Sequence, residues 1–225
     1  MSSGTLPRRT GLWLGVAAGL LNVNFLLELV LTHRSPIMTT MVSDLATSGR
    51  ELFWAFRAAD ATSAVLLLVL AVLAWRCCRT RTWRAGTVLL GVFAASTLLA
   101  VLFPEHCAMS TDASCPTRLV DQGLDDAVHD LISSVGTSCG VLACLVFAAA
   151  SRGRRAELVC HLVAGVLAAA LGLVFVSTQQ AGAVAMLGLT QRAQIVVLSA
   201  WYAVVGWSVD GHRAARARAP ATMPS

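Results

Sequence analysis

Apolar residues along this chain come in runs of bilayer-crossing length, and charged residues gather in the gaps between them. The runs fall at 11–31, 57–75, 85–103, 129–150, 156–177 and 193–209, and the helix of the second is expected to begin near Leu52. Each is read as a membrane-crossing helix. The first run follows Arg8 and Arg9 but is too long for the apolar core of a signal peptide, and no small-residue cleavage pattern closely follows it; it is read as a retained span. The gaps at 76–84 and 151–155 are short, so spans two and three, and four and five, are expected to pack as antiparallel hairpins. The longer gaps, 32–52 and 104–128, lie on the opposite side and are where function is sought.

The predicted fold is an all-α polytopic transmembrane bundle of six helices. A short segment (1–10) precedes the bundle (11–210), and a basic tail (211–225), expected to be disordered, follows it. A hydrophobic fraction of 56%, a mean hydropathy of +0.71 and only 13% charged residues exclude an ordinary soluble domain.

Charge fixes the orientation. The chain has 17 Arg and no Lys. Most stand in four clusters: Arg8/Arg9, Arg76/Arg79/Arg81/Arg84, Arg152/Arg154/Arg155 and Arg213/Arg216/Arg218. These hold 12 of the 17 and all fall on one side, which the positive-inside rule makes cytoplasmic together with both termini. The acids are biased the other way. The net charge of +5 flanks apolar runs without interleaved aromatics, so anionic lipid is the expected counter-ion, with no nucleic-acid partner. Exclusive use of Arg with abundant Ala, Val and Leu suggests a GC-rich genome.

Gly11, Gly15 and Gly19 repeat every four residues, as do Gly136 and Gly140, and such positions let helix backbones approach closely. The first set could pack within the chain or against a second copy or another membrane protein. Cys107 and Cys115 share an outer loop and are expected to form a disulfide; their spacing is not that of a zinc site. Cys139, Cys144 and Cys160 read as small apolar fillers.

The remaining polar residues form a layer near the outer surface. At 1.5 Å per residue, Glu28, Asp60 and Ser133 lie about 22–25 Å above the cytoplasmic edge, and His129 about one turn higher. Asn24 and Glu28 share a helix face, Arg57 and Asp60 can pair at i,i+3, and Asp126, His129, Ser133, Thr137 and Gly140 follow helical spacing. Ionisable groups in a bilayer are costly and mark candidate sites.

Several short motifs point one way: Val42-Ser43-Asp44-Leu45 after the first span, Arg57 and Asp60 entering the second, Phe103-Pro104 after the third, and His129-Asp130 opening the fourth. Together they resemble the six-span bacterial membrane proteins catalogued as domain of unknown function 998. The likeness covers about residues 12–210 and implies a fold with no established activity. The outer loop with its two cysteines is longer here than that pattern needs.

Three functions fit. The first is an accessory protein binding a lipid headgroup or partner through an outward-facing polar pocket of Asn24, Glu28, Ser43, Asp44, Arg57, Asp60, His106 and Asp130. The alternative is an intramembrane hydrolase or transferase acting on a lipid-like substrate. There His129 would be the general base, Asp126 or Asp130 would orient it, and Ser133 lies nearby. No cofactor is expected, although a metal held by His106 and His129 is a variant of this alternative. The third is a small proton-coupled transporter using Glu28, against which stand the lack of a Pro-broken span and of an internal repeat.

Overall fold

In the computed structural model, residues 9–31, 38–47, 52–77, 80–108, 110, 112, 115, 123–181 and 186–218 are described. The expected segment before residue 9 and the end of the tail, 219–225, lie outside them. The first apolar run does not form one helix. It gives α1 (Thr10–Asn22) and α2 (Leu26–Leu31), with a turn between. Across that turn the backbone bonds shorten to i→i+3: Leu26 N donates to the Val23 carbonyl, Leu27 N to Asn24 and Glu28 N to Phe25, at 2.8–3.1 Å. The break corrects the continuous span expected over 11–31. It needs no proline, because Asn22 and Asn24 bond to neighbouring helices and the backbone tightens around them.

Five longer helices follow, each long and apolar enough to cross a membrane: α3 (Phe53–Cys77), α4 (Arg81–Leu102), α5 (Leu124–Ala150), α6 (Arg155–Gln180) and α7 (Leu187–Arg218). A helix satisfies its own backbone, which lipid cannot do for it. The ends are marked locally. Thr80 Oγ1 accepts from Trp83 N at 3.3 Å to cap α4, and Asp125 and Asp126 lie in the first turn of α5, where the helix dipole favours them. No strand occurs among the described residues. The last helix runs on to Arg218, so residues 211–218, expected to belong to a disordered tail, are helical.

The helices close a ring. In chain order α3 packs on α4, α4 on α5, α5 on α6 and α6 on α7, and α7 then meets α1, which returns to α3. Half of the most apolar stretch of α7 is buried, against 22–33% for the other four, because α7 also touches α3 and α5 across the ring. The main core is built on it: Leu198, Trp201, Tyr202, Val205 and Val209 meet Leu67, Leu70, Leu90, Phe93 and Phe147. Faces turned away from this core remain apolar, with Val65, Val69 and Val72 on α3 and Val159, Val163 and Val166 on α6 exposed, as a lipid-contacting surface requires.

The glycine stripe is the seam of the ring. A Cβ built on Gly11 would stand 2.6 Å from the Gly206 carbonyl oxygen, and Cβ atoms on Gly15 and Gly19 would strike the backbone of Tyr202 and Ser199. The stripe is therefore covered by α7 of the same chain, not offered to a second copy. Arg9 supplies no side-chain cap for α1. Asp210 of α7 does so instead, accepting from Gly11 N at 3.0 Å and Leu12 N at 2.9 Å. On the other spaced pair, Gly136 packs against Ser96 and Gly140 against the Phe93 ring.

The two ends of the bundle differ. Arg76, Arg81, Arg84, Arg152, Arg154, Arg155, Arg213, Arg216 and Arg218 mark one end. At the other, a short 3-10 helix (Ser43–Ala46) rests on α3 through Leu45, which joins Phe25 and Phe56 in a small second core.

Candidate functional site

Two polar networks occupy the end opposite the arginine clusters. The first joins the α1–α2 turn to α3 and α7. Arg192 Nη2 donates to Glu28 Oε2 at 2.9 Å, with both side chains buried. Its Nη1 reaches the carbonyls of Thr40 and, at 3.2 Å, Gly188, and its guanidinium lies 5.7 Å from the Phe25 ring centre. Asn24 Nδ2 donates to Asp60 Oδ1 at 2.6 Å, and Asn22 Nδ2 to Ser199 Oγ at 2.8 Å. A buried charge pair of this kind holds a register rather than adding much stability, and removing one partner would leave the other uncompensated.

The second network joins the 3-10 helix, the loop after α4 and the first turns of α5. Its centre is Glu105, 3% exposed. Phe103 and Pro104 end α4 and turn the chain so that Glu105 points inward beneath the start of α5. His129 Nε2 stands 3.6 Å from Glu105 Oε1, and His129 Nδ1 lies 2.8 Å from the Phe103 carbonyl oxygen. A carbonyl only accepts, so Nδ1 carries the hydrogen and, in the neutral ring, Nε2 presents its lone pair to Glu105. Burial pushes the Glu105 carboxyl up to about 8, and the nearby charges of Asp44, Asp130 and Asp126 act the same way, against a lowering hydrogen bond with Ser43. At neutral pH Glu105 is therefore largely a protonated acid, with the His129 ring beside it.

The walls of this site are fixed by polar ties. Asp126 Oδ1 accepts from His106 N at 2.7 Å, while the His106 ring is over half exposed. Asp44 is fully buried and accepts from both the backbone N (3.2 Å) and the hydroxyl of Ser110. Ser110 Oγ in turn accepts from Met41 N at 3.0 Å, and Val42 N donates to Gln191 Oε1 at 2.6 Å. Ser110 lies in the loop closed by the Cys107–Cys115 disulfide, whose Cα atoms are 5.7 Å apart. Thus the expected disulfide is present, and its loop clamps the segment carrying Ser43 and Asp44. Among the described residues the one set of three possible metal ligands is Cys107, Asp112 and Cys115. Its two sulfurs are bonded to each other, which leaves no thiolate to bind an ion.

Residues read from sequence as one pocket thus divide between two networks. Asn24, Glu28 and Asp60 belong to the first; Ser43, Asp44, His106 and Asp130 gather with Asp126 and His129 around Glu105. Arg57 joins neither. Its guanidinium donates to the Val101 carbonyl and stacks over Phe53 (4.8 Å) and Trp54 (5.4 Å), so it does not form the Asp60 pair open to it at i,i+3. Ser133, one turn below His129 on α5, makes no side-chain hydrogen bond among the described residues, and nothing aligns it as a nucleophile. Sequence reasoning passed over Arg192, Ser110 and the central place of Glu105. The isolation of Arg192 from every arginine cluster was the available clue, since a lone arginine in an apolar helix requires an acid.

A helical bundle with five apolar spans, lipid-facing exposed valines and no separate soluble unit among the described residues is a multi-pass integral membrane protein. Residues 16–208 match the family described as Protein of unknown function (DUF998), and the chain belongs to it. No curated protein and no solved structure matches the chain.

Proposed function

We propose that the chain is an intramembrane hydrolase or transferase acting on a lipid-like substrate, with the Glu105–His129 pair as its acid–base centre. The observation that carries this reading is the pairing itself: a buried carboxyl whose proton is held up to about pH 8, 3.6 Å from Nε2 of a histidine whose Nδ1 lies against the Phe103 carbonyl. In this reading His129 Nε2 removes a proton from water or an acceptor hydroxyl, and Glu105 returns one to the departing oxygen. Asp126 holds the His106 backbone beside them, and burial, aided by the charges of Asp44 and Asp130, keeps Glu105 protonated. A headgroup-binding role is less well supported, because Arg57 is engaged with a carbonyl and two rings and Arg192 is buried on Glu28.

The same reading assigns six crossings, with α1 and α2 together forming the first. It places both described chain ends and the arginine clusters on the cytoplasmic side of a bacterial plasma membrane. The Cys107–Cys115 disulfide supports this, since disulfides form and persist on the oxidising side of such a membrane.

The test is turnover by full-length protein in liposomes of total bacterial lipid extract, followed by mass spectrometry. The wild type is expected to consume at least one lipid species, and His129→Gln and Glu105→Gln to lose about a hundredfold or more of that rate. A headgroup retained stoichiometrically by wild type, with no lipid consumed, would return the accessory reading instead.

A further inference from the structure

At the end away from Glu105, the last turns of α3 and α7 flank a cleft of about 440 Å³, lined by Leu73, Arg76, Cys77, Arg213, Arg216 and Ala217. We propose that this cleft binds the phosphate of an anionic phospholipid headgroup. Three of its six lining residues are arginines and none is acidic. The C-terminal ends of two helices contribute about half a negative charge each, which three guanidinium groups outweigh.

The arginines are held in ways that leave bonding capacity. Arg216 Nη1 donates to the Arg76 carbonyl at 3.2 Å, tying α7 to the end of α3. Arg76 itself is exposed, with no ion pair among the described residues. The Arg213 side chain is partly exposed, and its buried Nη1 forms an ion pair with Asp210. Its nearest carboxylate oxygen, Asp210 Oδ1 at 3.5 Å, already accepts from Gly11 N. An anionic oxygen in the cleft would meet Arg213 where it lines the cleft and be shared with Arg76, as phosphate is commonly held by arginine forks.

The depth of the cleft selects a lipid as the source of that phosphate. Trp75, next to Arg76, is 44% exposed beneath the Arg84 guanidinium, 4.8 Å from its ring centre, as a tryptophan at headgroup level would be. Immediately toward the bundle centre Val72 is exposed to the acyl region, while Leu73 lines the cleft. A phosphate seated between Arg76 and Arg213 therefore has apolar protein surface directly below it, where an acyl chain would lie. Basic pockets between spans at a membrane face suit anionic headgroups for this reason.

The experiment uses native mass spectrometry and thermal unfolding of the full chain in detergent, titrated with phosphatidylglycerol, phosphatidylcholine or inorganic phosphate. The wild type is expected to retain and be stabilised by phosphatidylglycerol, with phosphatidylcholine and millimolar phosphate well behind. Each arginine near an anionic surface contributes on the order of fivefold, so Arg76→Gln/Arg213→Gln should weaken phosphatidylglycerol by about thirtyfold. Arg152→Gln, in the exposed turn between α5 and α6, should leave it unchanged. If the double variant does not fold, Arg76→Gln alone carries the test with about a fivefold loss. Equal loss in Arg152→Gln would show diffuse surface attraction and overturn the site. Equal stabilisation by inorganic phosphate would overturn the lipid assignment.

Discussion

Glu105 shows how much one buried side chain can set for its surroundings. Its carboxyl rests among Asp44, Asp126 and Asp130, and burial with these charges holds its proton to about pH 8, against an ordinary value of 4.5. The folded protein therefore binds more protons than the unfolded chain between those two pH values. Stability contributed by Glu105 is complete below about 4.5 and is lost as pH rises through about 8. Thermal unfolding in detergent should show a melting temperature falling by roughly 5 °C or more across that window. Glu105→Gln, which mimics the protonated form, should flatten this dependence. A wild-type melting temperature that rises over the same range would contradict the assignment. Turnover in liposomes should likewise decline above about pH 8, where Glu105 ceases to be an acid.

Among the elements, α1 depends most on a partner. It is short, lacks its own N-cap, breaks at Val23, and presents glycines where α7 presents backbone carbonyls. No side chain fits at Gly15, since its Cβ would overlap the Tyr202 peptide. Gly15→Leu should separate the two helices and destabilise the bundle by about 3 kcal/mol or more, as overpacking against fixed backbone does. Gly91, with nothing near its would-be Cβ, offers the control: Gly91→Leu should leave the unfolding midpoint within about 0.5 kcal/mol of wild type. Glycine spacing announced close packing, yet the sequence left open whether the neighbour was α7 or another chain. Both are backbone surfaces, and spacing alone does not distinguish them. The break in the first span was illegible for a related reason. Nothing in Asn22-Val23-Asn24 forbids a helix; the turn exists because Ser199 and Asp60, remote in sequence, accept from those two asparagines.

On the scale of the whole molecule, the apolar runs were enough to recover the five long membrane-crossing helices and their order, because insertion into lipid reads those same features. The site was only partly legible. Asp44, Asp126, His129 and Asp130 stood out through short motifs and helical spacing, but neither says which helices adjoin. The ring places α4 beside α5, and so Glu105 beneath His129, whereas Glu28 and Asp60 face α1, α3 and α7. The disulfide was legible from compartment and spacing; its link through Ser110 to Asp44 was not. Cys107→Ser/Cys115→Ser should lower stability by about 2.5 kcal/mol, the chain-entropy cost of opening so short a loop. It should also speed amide exchange of Met41 and Ser110, whose backbone donors bond to Ser110 and Asp44. Unchanged exchange there would dissociate the disulfide from the site.

The seam between α1 and α7 also imposes a schedule. As the chain emerges in order, α1 enters the membrane with its glycine face open, and the helix that covers this face is the last of those described. Throughout the intervening synthesis α1 must be held by α3 alone or by some transient companion in the insertion machinery. A chain stopped before residue 187 would display Gly11, Gly15 and Gly19 to whatever helix diffuses past.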